Sequence, residues 1–256
     1  MTASERAVDS LLEPRPWVRR APNLANAVAA ELVARIVRGQ HSAGTSLPSE
    51  PALCEAFSVS RPVIREAVKM LQEKGLVQVR QGSGTTVTPP TTWNLLDELV
   101  LAASIAEDDG LDVLDDVVVT RRLLESDMAH VAARQASEQV VAQLRALVEK
   151  MDELVATPDA YRTYDHSFHD VVMRTSGNRV ARAVVRALES QVVNTVRYMG
   201  ESPREHCVAS NRGHRRIYEC IAAHDPAAAA EAMFTHITEA WLVRRGGSGD
   251  PIRLRR

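Results

Sequence analysis

The chain has 256 residues, 45% hydrophobic and 25% charged, with a net charge of −2. These values suit a soluble globular protein of one large or two ordinary domains, and no apolar run reaches the ~18 residues of a membrane span. Cys54, Cys207 and Cys220 are scattered and form no CxxC, which excludes a disulfide framework or a zinc knuckle and fits a reducing cytoplasm.

Residues 1–22 mix Arg6, Arg15, Arg19 and Arg20 with Glu5, Asp9 and Glu13 and lack an apolar core, so they read as a flexible arm and not as a secretory signal. Residues 23–88 carry seven Lys/Arg against five Asp/Glu, a net +2, whereas residues 89–256 carry 20 against 25, a net −5. A mildly basic small region is therefore joined to an acidic larger one. Local charge, not the total, governs contact with phosphates.

Leu24, Val28, Leu32, Ile36 and Val37 recur at helical spacing and predict a helix over about 24–38, closed by Gly39. Ser49 is placed to cap a second helix, with Leu53 and Phe57 facing inward. Ser58 and Val59 make a turn. Ser60 caps a third helix, with Pro62 in its first turn, a buried stripe of Val63, Ala67, Met70 and Leu71, and Gly75 at its end. Val77 and Val79 alternate with Gln78 and Arg80 as a strand, Gln81-Gly82-Ser83-Gly84 is a turn, and Thr85-Thr86-Val87 is the returning strand. Pro89-Pro90 opens a linker over 91–110 with a short connecting helix from Trp93 to about Ala106. From 111 to 245 helical periodicity is broken near Ala136-Ser137, Thr157-Pro158, Ser176-Gly177-Asn178, Gly200 to Pro203 and Asp225-Pro226, which predicts an antiparallel bundle of about six helices. Residues 246–256 read as a flexible tail. The fold class is mainly α: a winged helix-turn-helix over 23–90 with a small β-hairpin wing, then an all-α domain.

On the third helix Arg61 and Arg65 lie four residues apart on one face, which Lys69 continues. Arginine suits guanine edges through its bidentate fork and phosphates through its charge. Ser60 and the first-turn N–H groups can take a phosphate, and the small tip at Gln81, Gly82 and Ser83 can approach the duplex. By charge alone, a solvated basic face on a structural helix is an equal alternative. The helix-turn-helix-hairpin order favours double-stranded DNA.

In the bundle, Asp165 and His169 at i and i+4 project from one helix face and can share one metal ion. His166 is set about 60° from His169 on the helical wheel. His214 and His236 fall on two later helices. One carboxylate and three imidazoles suit a divalent ion, while the alternatives are a surface ion pair and ordinary core histidines. Arg121 is open to a salt bridge with Glu125, and Asn194 and Arg197 to an exposed face.

Residues 23–88 resemble the GntR family of bacterial transcription regulators, in Leu47-Pro48-Ser49-Glu50, Val59-Ser60-Arg61, Val63-Ile64-Arg65-Glu66-Ala67, Leu71, Gly75-Leu76-Val77 and Gly82-Ser83-Gly84-Thr85. The resemblance implies that Arg61 and Arg65 contact operator DNA and that Gly82 lies close to it. Pro51 stands where many members have arginine, and Pro62 where threonine is frequent, so the operator sequence does not carry over.

Residues 95–243 are similar to the FCD effector domain of the FadR-type subfamily, in Arg121-Arg122-Leu123-Leu124-Glu125, Asp165-x-x-Phe168-His169, Gly177-Asn178, His214-x-x-Ile217, Asp225-Pro226 and Met233-x-x-His236. Trp93-Asn94-Leu95-Leu96-Asp97 resembles a linker of its sugar-acid regulators. The resemblance implies a divalent ion on Asp165, His169, His214 and His236, zinc first and nickel or manganese as alternatives. It also implies a small carboxylate effector on Arg121; Asn194 and Arg197 are candidates for the polar pocket wall on their own residue types, with an exposed face as the favoured alternative.

The expected function is a cytoplasmic, homodimeric, ligand-responsive regulator, a repressor, on an inverted-repeat operator, sensing a small organic or sugar acid. The alternatives are a regulator for which the ion itself is the signal and, more remotely, a metal-dependent enzyme acting on a carboxylate. No acid-base partner outside the ligand set supports the enzyme.

Overall fold

Residues 24–80, 84–106, 110–192 and 204–245 are described by a computed structural model of the chain, which divides into two units, Met1–Thr92 and Trp93–Arg256. Among the described residues there are ten α-helices and one β-hairpin, and no helix is long and apolar enough to cross a membrane. The expected contacts of Gln81, Gly82 and Asn194 fall outside the described residues.

In the first unit, α1 (Leu24–Val37) buries Ala25, Val28, Leu32 and Ile36, while Leu24 is exposed. The stripe is the 3.6-residue repeat of an amphipathic helix. α2 (Glu50–Phe57) starts at Ser49, whose hydroxyl accepts from the Ala52 N–H at 3.5 Å, and ends at Ser58 in the left-handed region with φ 53°. That conformation turns the chain directly into α3 (Arg61–Glu73).

α3 buries Ala67 and Leu71 as expected, but Val63 and Met70 are only half-buried and Ile64 takes the inner position instead. Ser60 occupies the N-cap position, but its side chain makes no capping hydrogen bond, which corrects the expected cap. Gly75, at φ 78°, closes the helix, with its N–H on the Gln72 carbonyl at 3.0 Å and the Leu76 N–H on Leu71 at 3.0 Å. A left-handed residue there is best supplied by glycine. β1 (Val77–Arg80) and β2 (Gly84–Val87) pair antiparallel, with Val77 opposite Val87 and Arg80 opposite Gly84. Ser46 bridges Thr86 on the other side of β2, so the loop before α2 is stitched to the wing.

In the second unit, α4 (Glu98–Ala106) is capped by Asp97, which accepts from the Leu99 and Val100 N–H groups at 3.0 and 3.3 Å. Its Leu101 and Ile105 belong to the bundle core, so the helix expected within the linker is packed into this unit. α5 (Gly110–Gln135), α6 (Glu138–Leu154), α7 (Pro158–Thr175), α8 (Arg179–Val192), α9 (Arg204–Ala222) and α10 (Pro226–Arg245) follow. Three of them start at side-chain caps that fall at breaks read in the sequence, whereas Thr157, before α7, makes no such bond. Ser137, Asn178 and Asp225 accept from the N–H groups of Val140, Ala181 and Ala228 at 3.3, 3.0 and 3.0 Å. Each such cap is worth about 1 kcal/mol.

The core runs through Leu114, Leu144, Met151, Phe168, Ile217, Ile221, Met233 and Trp241. α5 packs along α10, and both pack on α9; α7 packs on α5, α6, α8 and α9. Asp115, 1% exposed, ties α5 to α10 by accepting from Trp241 Nε1 at 2.6 Å and pairing with Arg245 at 2.8 Å.

Candidate metal and effector site

His169 from α7, His214 from α9 and His236 from α10 are all buried, and each offers a ring nitrogen within 4.8 Å of the others. His169 Nε2 is 3.3 Å from His214 Nε2 and 3.3 Å from His236 Nε2. Asp165, one helical turn before His169, brings Oδ1 to 3.2 Å from His214 Nε2. Of the four residues read from the sequence as one constellation, the three histidines are gathered into one cluster, and Asp165 stands at its edge in contact with His214. Three unrelated stretches of chain meet because α7, α9 and α10 each turn one face into the core.

Around this cluster the rings are oriented from behind. His169 Nδ1 donates to Glu125 Oε2 at 2.6 Å, which directs Nε2 at the other two rings. His214 Nδ1 meets the Tyr161 hydroxyl at 3.3 Å, and the Phe168 ring lies 4.9 Å from the His214 ring. Gly213 sits against the His236 ring: a Cβ there would be 3.0 Å from Cγ and 3.2 Å from Cβ of His236, and closer still to Nδ1. A glycine inside a helix costs about 0.5–1 kcal/mol relative to alanine, and here it clears the space that the imidazole occupies.

The electrostatics follow from this packing. Burial alone would raise the Glu125 carboxyl, but the charges of Arg121 and His169 and their hydrogen bonds outweigh it and hold it at about 2. Asp165 is likewise held well below the usual carboxylate range, its burial outweighed by the hydrogen bond and charge of His214 and by His169 and His236. Burial lowers His214, which Asp165 only partly offsets, and lowers His236 further, with the charges of His214 and His169 adding to it. His169 moves the other way: burial lowers it, but Glu125 and Asp165 raise it by more.

The donor set fits a divalent ion. Protons can bridge these ring nitrogens only pairwise, whereas one cation takes the lone pairs of the three imidazoles together. Two nitrogens each about 2.0–2.1 Å from one ion at a tetrahedral angle stand about 3.3 Å apart, which is the spacing of both histidine pairs.

Arg121 is engaged by protein carboxylates. Its Nε donates to Glu125 Oε1 at 2.9 Å, and Nη2 pairs with Glu189 Oε1 of α8 at 2.7 Å. Both sequence alternatives for Arg121 thus bear on one residue: it makes the Glu125 pair, and it also lines a void of about 30 Å³ with Asp165, His169 and His236. A larger cavity of about 280 Å³ adjoins the cluster at Asp165, Gly213 and His236, bounded by α7, α9 and α10. Arg244, which sequence reasoning missed, lines both spaces. His166 points elsewhere, with Nδ1 3.9 Å from Glu189. Arg122, the neighbour of Arg121, is buried with its guanidinium 4.6 Å over the Phe234 ring.

On α3, Arg61, Arg65 and Lys69 are all exposed. Arg65 Nε contacts the Glu50 carboxylate at 3.0 Å, and Lys69 stands 3.7 Å from Glu73. Both are surface pairs worth little, about 0–1 kcal/mol, and leave the basic side chains open to exchange for phosphate or base contacts.

Two family models match the chain: bacterial regulatory proteins of the gntR family over residues 24–87 and the FCD domain over residues 116–239. The HTH-type transcriptional repressor NanR of Enterobacter sp. (strain 638) is 30% identical over 237 residues, 91% of this chain and 89% of that protein. The galactonate operon transcriptional repressor of Escherichia coli (strain K12) is 28% identical over 217 residues, 84% and 94% of the two chains. Among solved structures, that of Lar, which controls expression of the Listeria monocytogenes agr system, covers 89% of this chain and 99% of its own at 19% identity and a TM-score of 0.59, a likeness of fold. These families and relatives are transcription regulators, not enzymes. The winged head of the first unit and the helical bundle of the second therefore belong to a DNA-binding transcription regulator of the GntR family with an FCD domain.

Proposed function

We propose that this regulator is a homodimeric repressor that senses a small carboxylic acid at a divalent ion held by Asp165, His169, His214 and His236. The observation that carries the proposal is the convergence of three imidazole nitrogens beside a cavity. The ion, zinc first, supplies a Lewis-acid anchor for a carboxylate. Glu125 orients His169, Tyr161 orients His214, and Gly213 admits His236. Arg244 and, on exchange of its Glu189 partner, Arg121 supply positive charge for the acid. Ser60, Arg61, Arg65 and Lys69, with Gln81 and Gly82 of the wing, contact an inverted-repeat operator in the cytoplasm, one half-site per protomer.

The Arg121–Glu189 pair suggests how the site reports. Glu189 lies on α8, which packs on α4, the first helix of the second unit. An acid that takes Arg121 from Glu189 favours an arrangement in which α8 is released. For DNA to be let go, the acid must bind that arrangement more tightly than the DNA-bound one; tight binding to both shifts nothing.

A second reading, in which the ion is itself the signal, draws on the four protein ligands. The adjoining cavity favours an organic acid instead. The two separate in one experiment. Duplexes enriched from genomic fragments by the zinc-loaded protein are titrated at a fixed, stated salt concentration with acids and, separately, with chelator. Release by an acid only while zinc is bound supports the proposal. Release by chelation alone, with every acid inert, assigns the signal to the ion. Failure to enrich any duplex contradicts the assignment of the head.

A further inference from the structure

The cavity beside the histidine cluster has a distinct chemistry along its walls. At the cluster end stand Asp165 and His236. Beyond them the wall is predominantly apolar, with Pro158 from α7, Cys207 from α9, and Ala240, Leu242 and Val243 from α10. Two of its hydroxyls are already committed. The Tyr161 hydroxyl, whose pKa burial pushes up so that it stays protonated, is hydrogen-bonded to Ser210 and lies 3.3 Å from His214 Nδ1. The other polar groups are Arg162, His206, Glu239 and Arg244, and Glu239, Val243 and Arg244 stand at its exposed side.

A ligand that fills this space must match that order of groups. A carboxylate finds its complement beside the cluster. A body that carries a hydroxyl on every carbon must set several of them against apolar surface, because most of the wall is apolar although Arg162, His206, Glu239 and Arg244 also border it. Each buried hydroxyl left without a partner weakens binding by roughly tenfold. A hydrocarbon body of the same length gains from the same wall by leaving water. At about 280 Å³ the cavity lies at the small end of ligand pockets, so the body is short.

We propose that the acid recognised here is an aromatic or branched aliphatic monocarboxylate and not a polyhydroxylated sugar acid. This sets the chain apart from the sugar-acid expectation of its sequence and from what the galactonate operon repressor, its 28% identical relative, is named for. The inference rests on the reading of the histidine cluster as an ion-anchored acid site. It commits in addition to what lies beyond the carboxylate.

The test uses the full-length, zinc-loaded protein and four probes: phenylacetate, 4-methylpentanoate, D-galactonate and acetate. Binding is measured by titration calorimetry and by the shift in melting temperature. The expected result is that phenylacetate and 4-methylpentanoate each bind at least tenfold more tightly than D-galactonate and acetate. Leu242→Ser, which removes apolar wall and lies outside the small void at the cluster, then weakens both larger acids by at least tenfold relative to acetate. Should that variant misfold, Val243→Ser on the same wall makes the same discrimination. Galactonate binding as tightly as the apolar acids overturns the proposal. Binding of none of the four by zinc-loaded protein also overturns it, and leaves the ion site standing. Failure to take up zinc at all removes the underlying reading and the proposal with it.

Discussion

Gly213→Ala is the perturbation whose effect follows most directly from the packing. The added methyl would stand 3.0 Å from His236 Cγ and 3.2 Å from Cβ, with Nδ1 closer still. Carbon contacts are comfortable at about 3.5–4.0 Å, so the ring or the helix must move by about 0.5–1 Å. Metal–ligand distances tolerate only about 0.2 Å. The shift therefore removes His236 as an effective ligand although the residue is still present. Overpacking of this kind costs about 1–3 kcal/mol, partly offset by the roughly 0.5–1 kcal/mol that alanine gains over glycine within a helix. The apo protein should therefore melt within a few degrees of the parent, while zinc affinity falls by at least about a hundredfold, beyond the 10–100-fold of a lost orienting partner. Competition against a chromophoric chelator gives the affinity, and calorimetry gives the melting temperature. Zinc affinity within threefold of the parent would refute the packing of His236 on Gly213 as a requirement of the site.

Other consequences follow from the same geometry. Glu125→Gln keeps the shape but removes the charge behind His169, and zinc affinity should fall about 10–100-fold with the bundle still folded; an unchanged affinity would deny Glu125 its orienting part. As to pH, His169 is raised whereas His214 and His236 are lowered, so His169 is the first of the three to take a proton as pH falls. Ion binding expels that one proton, so as pH falls below the His169 pKa the logarithm of zinc affinity should drop by about one per pH unit. A slope near three from the outset would contradict these directions. On the head, Arg61→Ala and Arg65→Ala should each weaken operator binding by ~1–3 kcal/mol where they read a base, with melting unchanged because both are exposed. Lys69→Ala should reduce the salt dependence by about one ion. Full binding by the double arginine variant would remove α3 as the reader.

The order of elements was legible because local chemistry sets it. Ser49, Ser137, Asn178 and Asp225 announce helix starts by their ability to cap, and Gly75 announces an end by its left-handed backbone. Where packing decides, the sequence was less informative. The buried stripe of α3 runs through Ile64 instead of Val63, because either branched residue satisfies the periodicity and only the packing of α1, α2 and β1 around the helix selects between them. Ser60 looked like a side-chain cap by residue type, but the hydroxyl makes no such bond.

The histidine cluster shows the same division. Asp165 and His169 were visible as a pair by helical spacing, but nothing in spacing alone ties them to His214 and His236, 45 and 67 residues beyond His169. Resemblance to the family supplied that link. Glu125 was legible only as the i+4 partner of Arg121; its second oxygen reaches His169 across 44 residues of chain. Gly213 carried no signal beyond being a glycine inside a predicted helix, and Tyr161 none at all. Glu189, which occupies Arg121, was missed because ion pairs between helices leave no periodic trace.

The central claim is that these histidines hold an ion, and metal content tests it most directly. The protein, dialysed against excess zinc and freed of loose metal by desalting, is analysed by elemental mass spectrometry beside His169→Ala and His214→Ala. The account predicts about one zinc per protomer in the parent and a near-complete loss in both variants, each of which removes one of four converging ligands. Equal zinc in the parent and the variants, or none in the parent, would contradict it.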